Sequence, residues 1–382
     1  MDFTILLYIF TFLFGISLDY FKGLYRRPRL RKVFIVWLFI FLCFGYMTGS
    51  DWRNYETDFN DLTFNTVKYS DKEVGFWFVF WVFKQIIPDF WIVIGLMKCA
   101  YLYTLIRFLK KVTPYYISAI AILMPISLGF MVIDNPLRYM CALIFVNIAL
   151  IYIIKKKYLL SIPFLLLSFI FHQTTIFFFV IILCAVLSKN ILKVNRLVLF
   201  VIYLAIYILS FKMQNLLMVF AYASSLFSNF IDVDSYWGYE MSEQGMFAIG
   251  NLVHIVFFIC VLLSRKTISS VPHGHYIYSL TVFNLFFNRF VNFMDTGFRL
   301  TIPLGYFFAI LIVTLIVNRK YIGYFFLLYY CIAYPKNLWD SSKFIPYSNS
   351  IPYILTGHKP YQERSTYNWD AYKQRTGKIE QY

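Results

Sequence analysis

Apolar stretches of fourteen to twenty residues recur along all but the last part of this 382-residue chain, and no other feature restricts its fold as much. They lie at about 2–18, 33–48, 90–109, 115–132, 136–154, 158–171, 174–187, 197–211, 246–263, 276–291, 299–317 and 321–334. Inside hydrocarbon every backbone N–H and C=O must find its partner within the protein, so a crossing segment is a helix or a strand of a closed barrel. The period-2 alternation that a barrel strand requires is absent. Helices remain. With 60% of residues hydrophobic and only 14% charged, a soluble domain could not cover so much apolar surface. The expected fold is all-α, a polytopic integral membrane protein with about twelve transmembrane helices.

Charge sets the orientation. Basic clusters occur at 26–32, Lys110-Lys111, Lys155-Lys156-Lys157, Arg265-Lys266 and Arg319-Lys320, and Lys and Arg gather on the cytoplasmic side of membrane proteins. A chain that starts outside places every cluster in the cytoplasm and both termini outside. The net charge of +16 is therefore read as orientation signals and contacts for anionic membrane lipid. No basic soluble domain is present to bind nucleic acid. All six cysteines lie in or beside apolar runs without a CxxC pair, so neither a disulfide framework nor a metal site is implied. The apolar N-terminus lacks a positive flank and a small-residue cleavage site, and reads as a retained first span.

Two segments depart from simple crossings. Residues 74–87 are apolar but short and contain Lys84; counting them as a crossing would put Lys155-Lys156-Lys157 outside. A re-entrant or interfacial helix on the outer face is expected instead. The arms of the hairpin 158–187 hold roughly fourteen residues each, about 21 Å against a hydrocarbon core of about 30 Å. Its polar tip, Phe171-His172-Gln173-Thr174-Thr175, should stay recessed and line a wet cavity open to the outer leaflet. The organisation expected is one transmembrane domain, 1–334, with outer loops at 49–73 and 212–245, followed by a polar, Tyr-rich tail at 335–382.

The unusual polar residues fall at the helix ends opposite the basic clusters. Asp51 and Arg53 follow the second span in Gly49-Ser50-Asp51-Trp52-Arg53-Asn54-Tyr55. A helix stop at Gly49 with Asp51 in a solvated turn accounts for them. So does a carboxylate that hydrogen-bonds or deprotonates a sugar hydroxyl, beside a cation and the aromatic rings of Trp52 and Tyr55. Glu73 either caps the helix at 74 or adds a second carboxylate to the cavity rim. Arg138, one turn inside a span behind Asn135-Pro136-Leu137, is on the wrong side for an orientation signal. It could pair with Asp134 or grip phosphate oxygens. His172 at the recessed tip could move a proton. Arg289, Asp295 and Arg299 bracket a short outer turn, and Asp295 and Arg299 are spaced for an i,i+4 pair. No HExxH, DxD, GxSxG or Walker pattern occurs, so no metal, nucleotide or other cofactor is expected. Three arginines, a histidine and one or two carboxylates under aromatic cover suit a lipid phosphate with a polar, ring-shaped head group.

At these residues the chain resembles the EpsG-like, Wzy-type bacterial polysaccharide polymerases. The resemblance lies in the ordered set Gly49 to Tyr55, Glu73-Val74-Gly75-Phe76, Asn135-Pro136-Leu137-Arg138, Lys155-Lys156-Lys157, Phe171-His172-Gln173-Thr174 and Arg299. It covers most of the chain to about residue 320. Two departures stand out: Phe44-Gly45-Tyr46 where the family carries an Arg, and Tyr139 where Gln usually follows Arg138. The resemblance implies a GT-C-like polymerase architecture and a metal-independent glycosyltransferase that joins undecaprenyl-diphosphate-linked oligosaccharide units at the outer face of the bacterial cytoplasmic membrane, with a chain-length regulator as partner. It assigns Asp51, Glu73 or His172 as the base and Arg53, Arg138 and Arg299 as diphosphate ligands. Trp52, Tyr55 and Asp295 would contact sugar. A lipid-linked oligosaccharide flippase, which needs cations reachable from both leaflets, and an integral-membrane acyltransferase are the alternatives.

Overall fold

The computed structural model describes residues 3–49, 51–68, 73–134, 136–212, 247–291, 298–339 and 347–358. Its elements are helical, and among the described residues the β pairing is a single antiparallel bridge, Gly45 with Asn349. Helix α1 (Phe3–Tyr20) is followed by α2 (Pro28–Leu38), which widens into a π-helical turn at Phe39–Cys43. A short polar helix, α3 (Trp52–Asp61), precedes α4 (Val74–Ile86) and α5 (Phe90–Val112). α6 (Tyr116–Leu123) passes into a second π turn at Met124–Leu128, where Pro125 has no N–H to continue the ladder. α7 (Leu137–Ile154) and α8 (Tyr158–Phe171) form a hairpin, and a 3-10 turn at Gln173–Phe178 leads into α9 (Phe179–Lys193). Then come α10 (Arg196–Lys212), α11 (Ile249–Ser269), α12 (Gly274–Val291), α13 (Phe298–Val317), α14 (Tyr321–Trp339) and α15 (Ser350–Thr356).

Each of the twelve expected apolar stretches coincides with a helix, but length separates them. Among the described residues four helices are long and apolar enough to cross a membrane: Phe90–Val112, Leu137–Ile154, Gln173–Lys193 and Ile249–Ser269. The bent pair Thr301–Val317 and Tyr321–Trp339, turning through 118°, makes a fifth if it counts as one span. Others, such as Thr4–Tyr20 and Tyr158–Phe171, are shorter apolar helices. At 74–87 the structure has a helix of 13 residues, about 20 Å long. Its Lys84 ammonium donates to the carbonyls of Asn60 (2.7 Å) and Leu62 (3.0 Å), which ties it to the end of α3.

The core forms around α13. Every residue from Thr301 to Ile316 is buried, as expected of a helix apolar on all sides. It packs against α6, α11, α12 and α14 and touches the 3-10 turn after His172. Gly323 allows the tight α13–α14 corner, because a Cβ there would meet the Ile316 nitrogen at 2.5 Å.

Two basic turns are also helix caps. At the end of α7 the Lys156 N–H bonds the Ile153 carbonyl (2.8 Å) and the Lys157 N–H bonds that of Tyr152 (2.9 Å), with Lys156 at φ 60°. Arg319 and Lys320 repeat the pattern after α13 with the carbonyls of Ile316 and Leu315, both at 2.9 Å, and Arg319 at φ 53°. These are Schellman caps with a cation in the left-handed position that glycine usually takes, and the cation complements the negative end of the helix dipole. Arg31 is equally structural. It pairs with buried Asp19 at 2.7 Å, lies over the rings of Tyr25 and Tyr116, and Asp19 also accepts from the Ser118 N–H at 2.9 Å.

The expected helix at 33–48 stops at Cys43 because a distant segment takes over its backbone groups. Tyr46 N–H donates to the Ser348 carbonyl (2.8 Å) and Ser350 N–H donates to that of Phe44 (2.7 Å). Tyr347 hydroxyl bonds the Phe41 carbonyl (2.9 Å), and the Asn349 amide bonds that of Ile40 (3.0 Å). His358 then reaches Asp89 at 2.9 Å, the residue that caps α5 through the Trp91 and Ile92 N–H groups.

Candidate active site

Three sequence-distant helix ends bring one acid, one base and one cation into contact. His172 follows α8 in extended conformation (φ −159°), with its N–H on the Ser168 carbonyl at 3.0 Å. Its own carbonyl accepts from the Thr175 N–H at 3.1 Å and from the Thr175 hydroxyl at 2.8 Å. The imidazole is thus fixed from both sides of the tip and is only 4% exposed. Tyr139 packs edge-on against it, with ring centroids 5.3 Å apart at 72°.

Glu73 enters from the N-terminus of α4 in the left-handed region, φ 57°, a conformation worth of order 1–3 kcal/mol of strain in a non-glycine residue. Gly75 makes this approach possible. A Cβ at Gly75 would lie 2.5 Å from Ile170 Cγ2 and 3.1 Å from the Ile170 carbonyl oxygen, so the start of α4 rests directly on the end of α8. One Glu73 oxygen meets His172 Nδ1. The other is 2.7 Å from Arg138 Nη1.

Arg138, in the first turn of α7, also donates from Nε to the Tyr55 hydroxyl at 3.2 Å. Of its five N–H groups, the Tyr55 bond uses one, and Nη1 stands in ion-pair contact with Glu73. Its side chain is 42% exposed, against 6% for Glu73. The cation therefore faces outward from a buried acid–base pair. It stands at the opposite end of α7 from Lys155–Lys157, across 18 helical residues.

Burial pushes the Glu73 carboxyl up, but His172 and then Arg138 outweigh that and hold it below its ordinary value. An ionised Glu73 accepts the Nδ1 proton of His172, which makes Nε2 the basic nitrogen of the ring. Burial likewise raises the Tyr55 hydroxyl, with Arg138 opposing and Asp51 and Glu73 adding to the rise. Asp51, one turn before Tyr55 on α3, thus shares the electrostatic field of the cluster.

The expected residues divide accordingly. Glu73, Arg138, His172 and Tyr55 come together, with Asp51 alongside. Trp52 is 1% exposed, tilted against Trp91 at 5.6 Å, with the Arg53 guanidinium 5.4 Å from its ring. Apolar burial against Trp91 wins over solvent exposure at this position. Arg299 lies in the first turn of α13, and Asp295 lies outside the described residues. Among the described residues no three His, Cys, Asp or Glu side chains group as a metal site would require.

Sequence reasoning missed the role of Tyr139, whose only signal was its place after Arg138. It named Arg289 at the outer turn but not the polar group that this residue joins in α11 and α12. There Arg289 is 1% exposed, donates from Nη1 to Asn251 at 3.1 Å and lies over the Tyr207 ring. Asn284 and His254 stand nearby on the same two helices. Polar residues inside otherwise apolar stretches were the available sign.

No curated protein and no solved structure matches the chain. The family model described as EpsG family matches residues 29–354, a span that takes in Glu73, Arg138 and His172. The apolar helices accord with a multi-pass membrane protein of that kind. The chain belongs to the EpsG family, the family of Wzy-type polysaccharide polymerases.

Proposed function

We propose that the protein polymerises oligosaccharide repeat units carried on undecaprenyl diphosphate, at the outer face of the bacterial cytoplasmic membrane. The observation that carries this reading is the shared carboxylate: Glu73 holds His172 Nδ1 on one oxygen and Arg138 on the other. Such a cluster suits attack by a sugar hydroxyl on the anomeric carbon of a lipid-diphosphate sugar. His172 Nε2 takes the hydroxyl proton as the new glycosidic C–O bond forms. The anomeric C–O bond to the diphosphate breaks, and the diphosphate departs with the electron pair. Glu73 stabilises the imidazolium that results.

Arg138, with N–H groups beyond its bonds to Glu73 and Tyr55, grips the departing phosphate oxygens; Arg53 and Arg299 supply further positive charge. Charge-assisted contacts of this kind are worth about 1.5–3 kcal/mol each, and they act most where charge develops. Asp51 and Asp295 take the sugar side. Chemistry at the outer face is supported by the separation of Arg138 from the Lys155–Lys157 turn along α7, given the cytoplasmic preference of basic turns.

The test is Arg138→Ala in cells, with the surface glycan displayed on a gel. Single repeat units in place of the ladder are expected. An unchanged ladder removes the diphosphate role, and accumulation of lipid-linked units inside the cell indicates a flippase.

A further inference from the structure

A cavity of about 240 Å³ lies between α11, α12, α13, α14 and the π turn after α6. Four of its lining side chains carry a buried polar atom without a hydrogen-bond partner: Ser127 Oγ, His254 Nδ1, Asn284 Oδ1 and Tyr334 OH. Ser127, Asn284 and Tyr334 are each at least 95% buried. Buried polar atoms are almost always paired. Four that converge on one space indicate that a guest supplies the bonds.

The walls explain why the space exists. Three of the segments around it are interrupted by proline, at Pro125 in the π turn, Pro303 in α13 and Pro335 in α14. Each proline removes a helical hydrogen bond, and broken helix at membrane depth is tolerated where it lines a cavity. Gly305 keeps the space open: a Cβ there meets nothing closer than Ile126 Cγ2 at 3.6 Å, so close packing does not require glycine.

The lining also specifies the guest. Among the described residues the lining contains no Lys, Arg, Asp or Glu, and the neighbouring Arg289 is engaged by Asn251 and the Tyr207 ring, so the wall itself offers no counter-ion to a charged ligand. Hydroxyl, amide and imidazole groups alternate with aromatic rings, among them Phe257 and Tyr329 set perpendicular at 4.9 Å. A lipid tail would leave the four polar atoms unpaired. A pyranose ring bonds them through its hydroxyls and lays its apolar face on an aromatic ring. The volume admits one ring, not a whole repeat unit, since pockets for larger ligands run to several hundred Å³. The 3-10 turn after His172 packs on α13, which forms one of the cavity walls.

We infer that this cavity is a saccharide subsite for a single uncharged sugar residue, selective against uronic acids. It deepens the polymerase reading, and rests on it for the sugar being part of a repeat unit.

The experiment uses the full chain in lipid nanodiscs and methyl glycosides of neutral hexoses, N-acetylhexosamines and glucuronic acid, with binding read by saturation-transfer NMR. At least one neutral glycoside is expected to bind saturably, and the uronate at least tenfold more weakly. Asn284→Leu, which deletes a polar contact, and Gly305→Leu, which fills the space, should each weaken binding at least tenfold. A retained melting transition reports folding. The inference is overturned if no neutral glycoside binds the unmodified protein saturably, if the uronate binds as well as the neutral sugars, or if binding survives in a folded Asn284→Leu or Gly305→Leu protein. Deletion of the gene separates this from the polymerase reading. Should the glycan ladder persist without the gene while the purified protein binds glycosides, the polymerase reading fails and the subsite stands. Should the ladder be lost while no glycoside binds the purified protein, the subsite alone falls.

Discussion

Replacing Gly75 with alanine adds one methyl group, and the geometry fixes what it displaces. The new Cβ would stand 2.5 Å from Ile170 Cγ2 and 3.1 Å from the Ile170 carbonyl oxygen. Unbonded carbons settle near 3.5 Å, so the start of α4 must retreat from α8 by about 1 Å. Glu73, two residues upstream, bridges α8 to α7, and its 2.7 Å contact with Arg138 lengthens towards ~3.7 Å, beyond a hydrogen bond. A misplacement of about 1 Å at a reacting group costs about 100-fold in rate, or about 2.7 kcal/mol of barrier. Overpacking adds a stability loss of roughly 1–3 kcal/mol, so the melting temperature must be followed with the activity. The assay is elongation of lipid-linked repeat units by purified protein, with the glycan ladder in a deletion strain as the cellular counterpart. Ile170→Ala removes the Cγ2 that clashes, and the double variant should recover most of the lost rate. A folded Gly75→Ala protein that elongates within threefold of the parent, or a folded double variant that recovers nothing, would refute the reasoning.

Three other outcomes are expected. Glu73 has a carboxyl held below its ordinary value of 4.5, so its pairing stabilises the fold at pH above 4.5 and fades as pH falls through the lower folded value; Glu73→Gln should flatten that acid limb in denaturation curves and abolish polymer. Lys98 is fully buried in α5, with an Nζ that has no hydrogen-bond partner; Lys98→Met should leave melting unchanged or raise stability by about 1–3 kcal/mol, and a lower melting temperature would count against the unpaired ammonium. Arg31→Met should destabilise by roughly 3–5 kcal/mol, because buried Asp19 loses its ion partner, whereas Lys110→Met should not; equal yields of folded protein from both would contradict the structural role of Arg31.

The fold was readable wherever local pattern decides. Apolar length located the helices and the basic turns located their ends, because hydrocarbon punishes unpaired backbone and exposed charge alike. The site was readable in its parts. Arg138, His172 and Glu73 each stood out as polar groups where a helix end should be apolar. Their mutual contact was not readable, since Glu73 and His172 are 99 positions apart and join only through the fit of Gly75 on Ile170. The burial of Trp52 was hidden for a related reason: an aromatic beside a polar loop looks accessible until its partner, Trp91, is known. The early stop of α2 was hidden in the same way, because the groups that end it come from residues 347–350.

That late-arriving clasp also governs assembly. Tyr347 and Phe41 are joined across 306 positions, so the corner between α2 and α3 cannot settle until residue 347 has left the ribosome. Loop closure over such a distance makes the contact a slow, late event. The corner ahead of Asp51 and Tyr55 is therefore completed late, and a protein truncated before residue 347 would form its helices while leaving the threshold of the candidate active site unset.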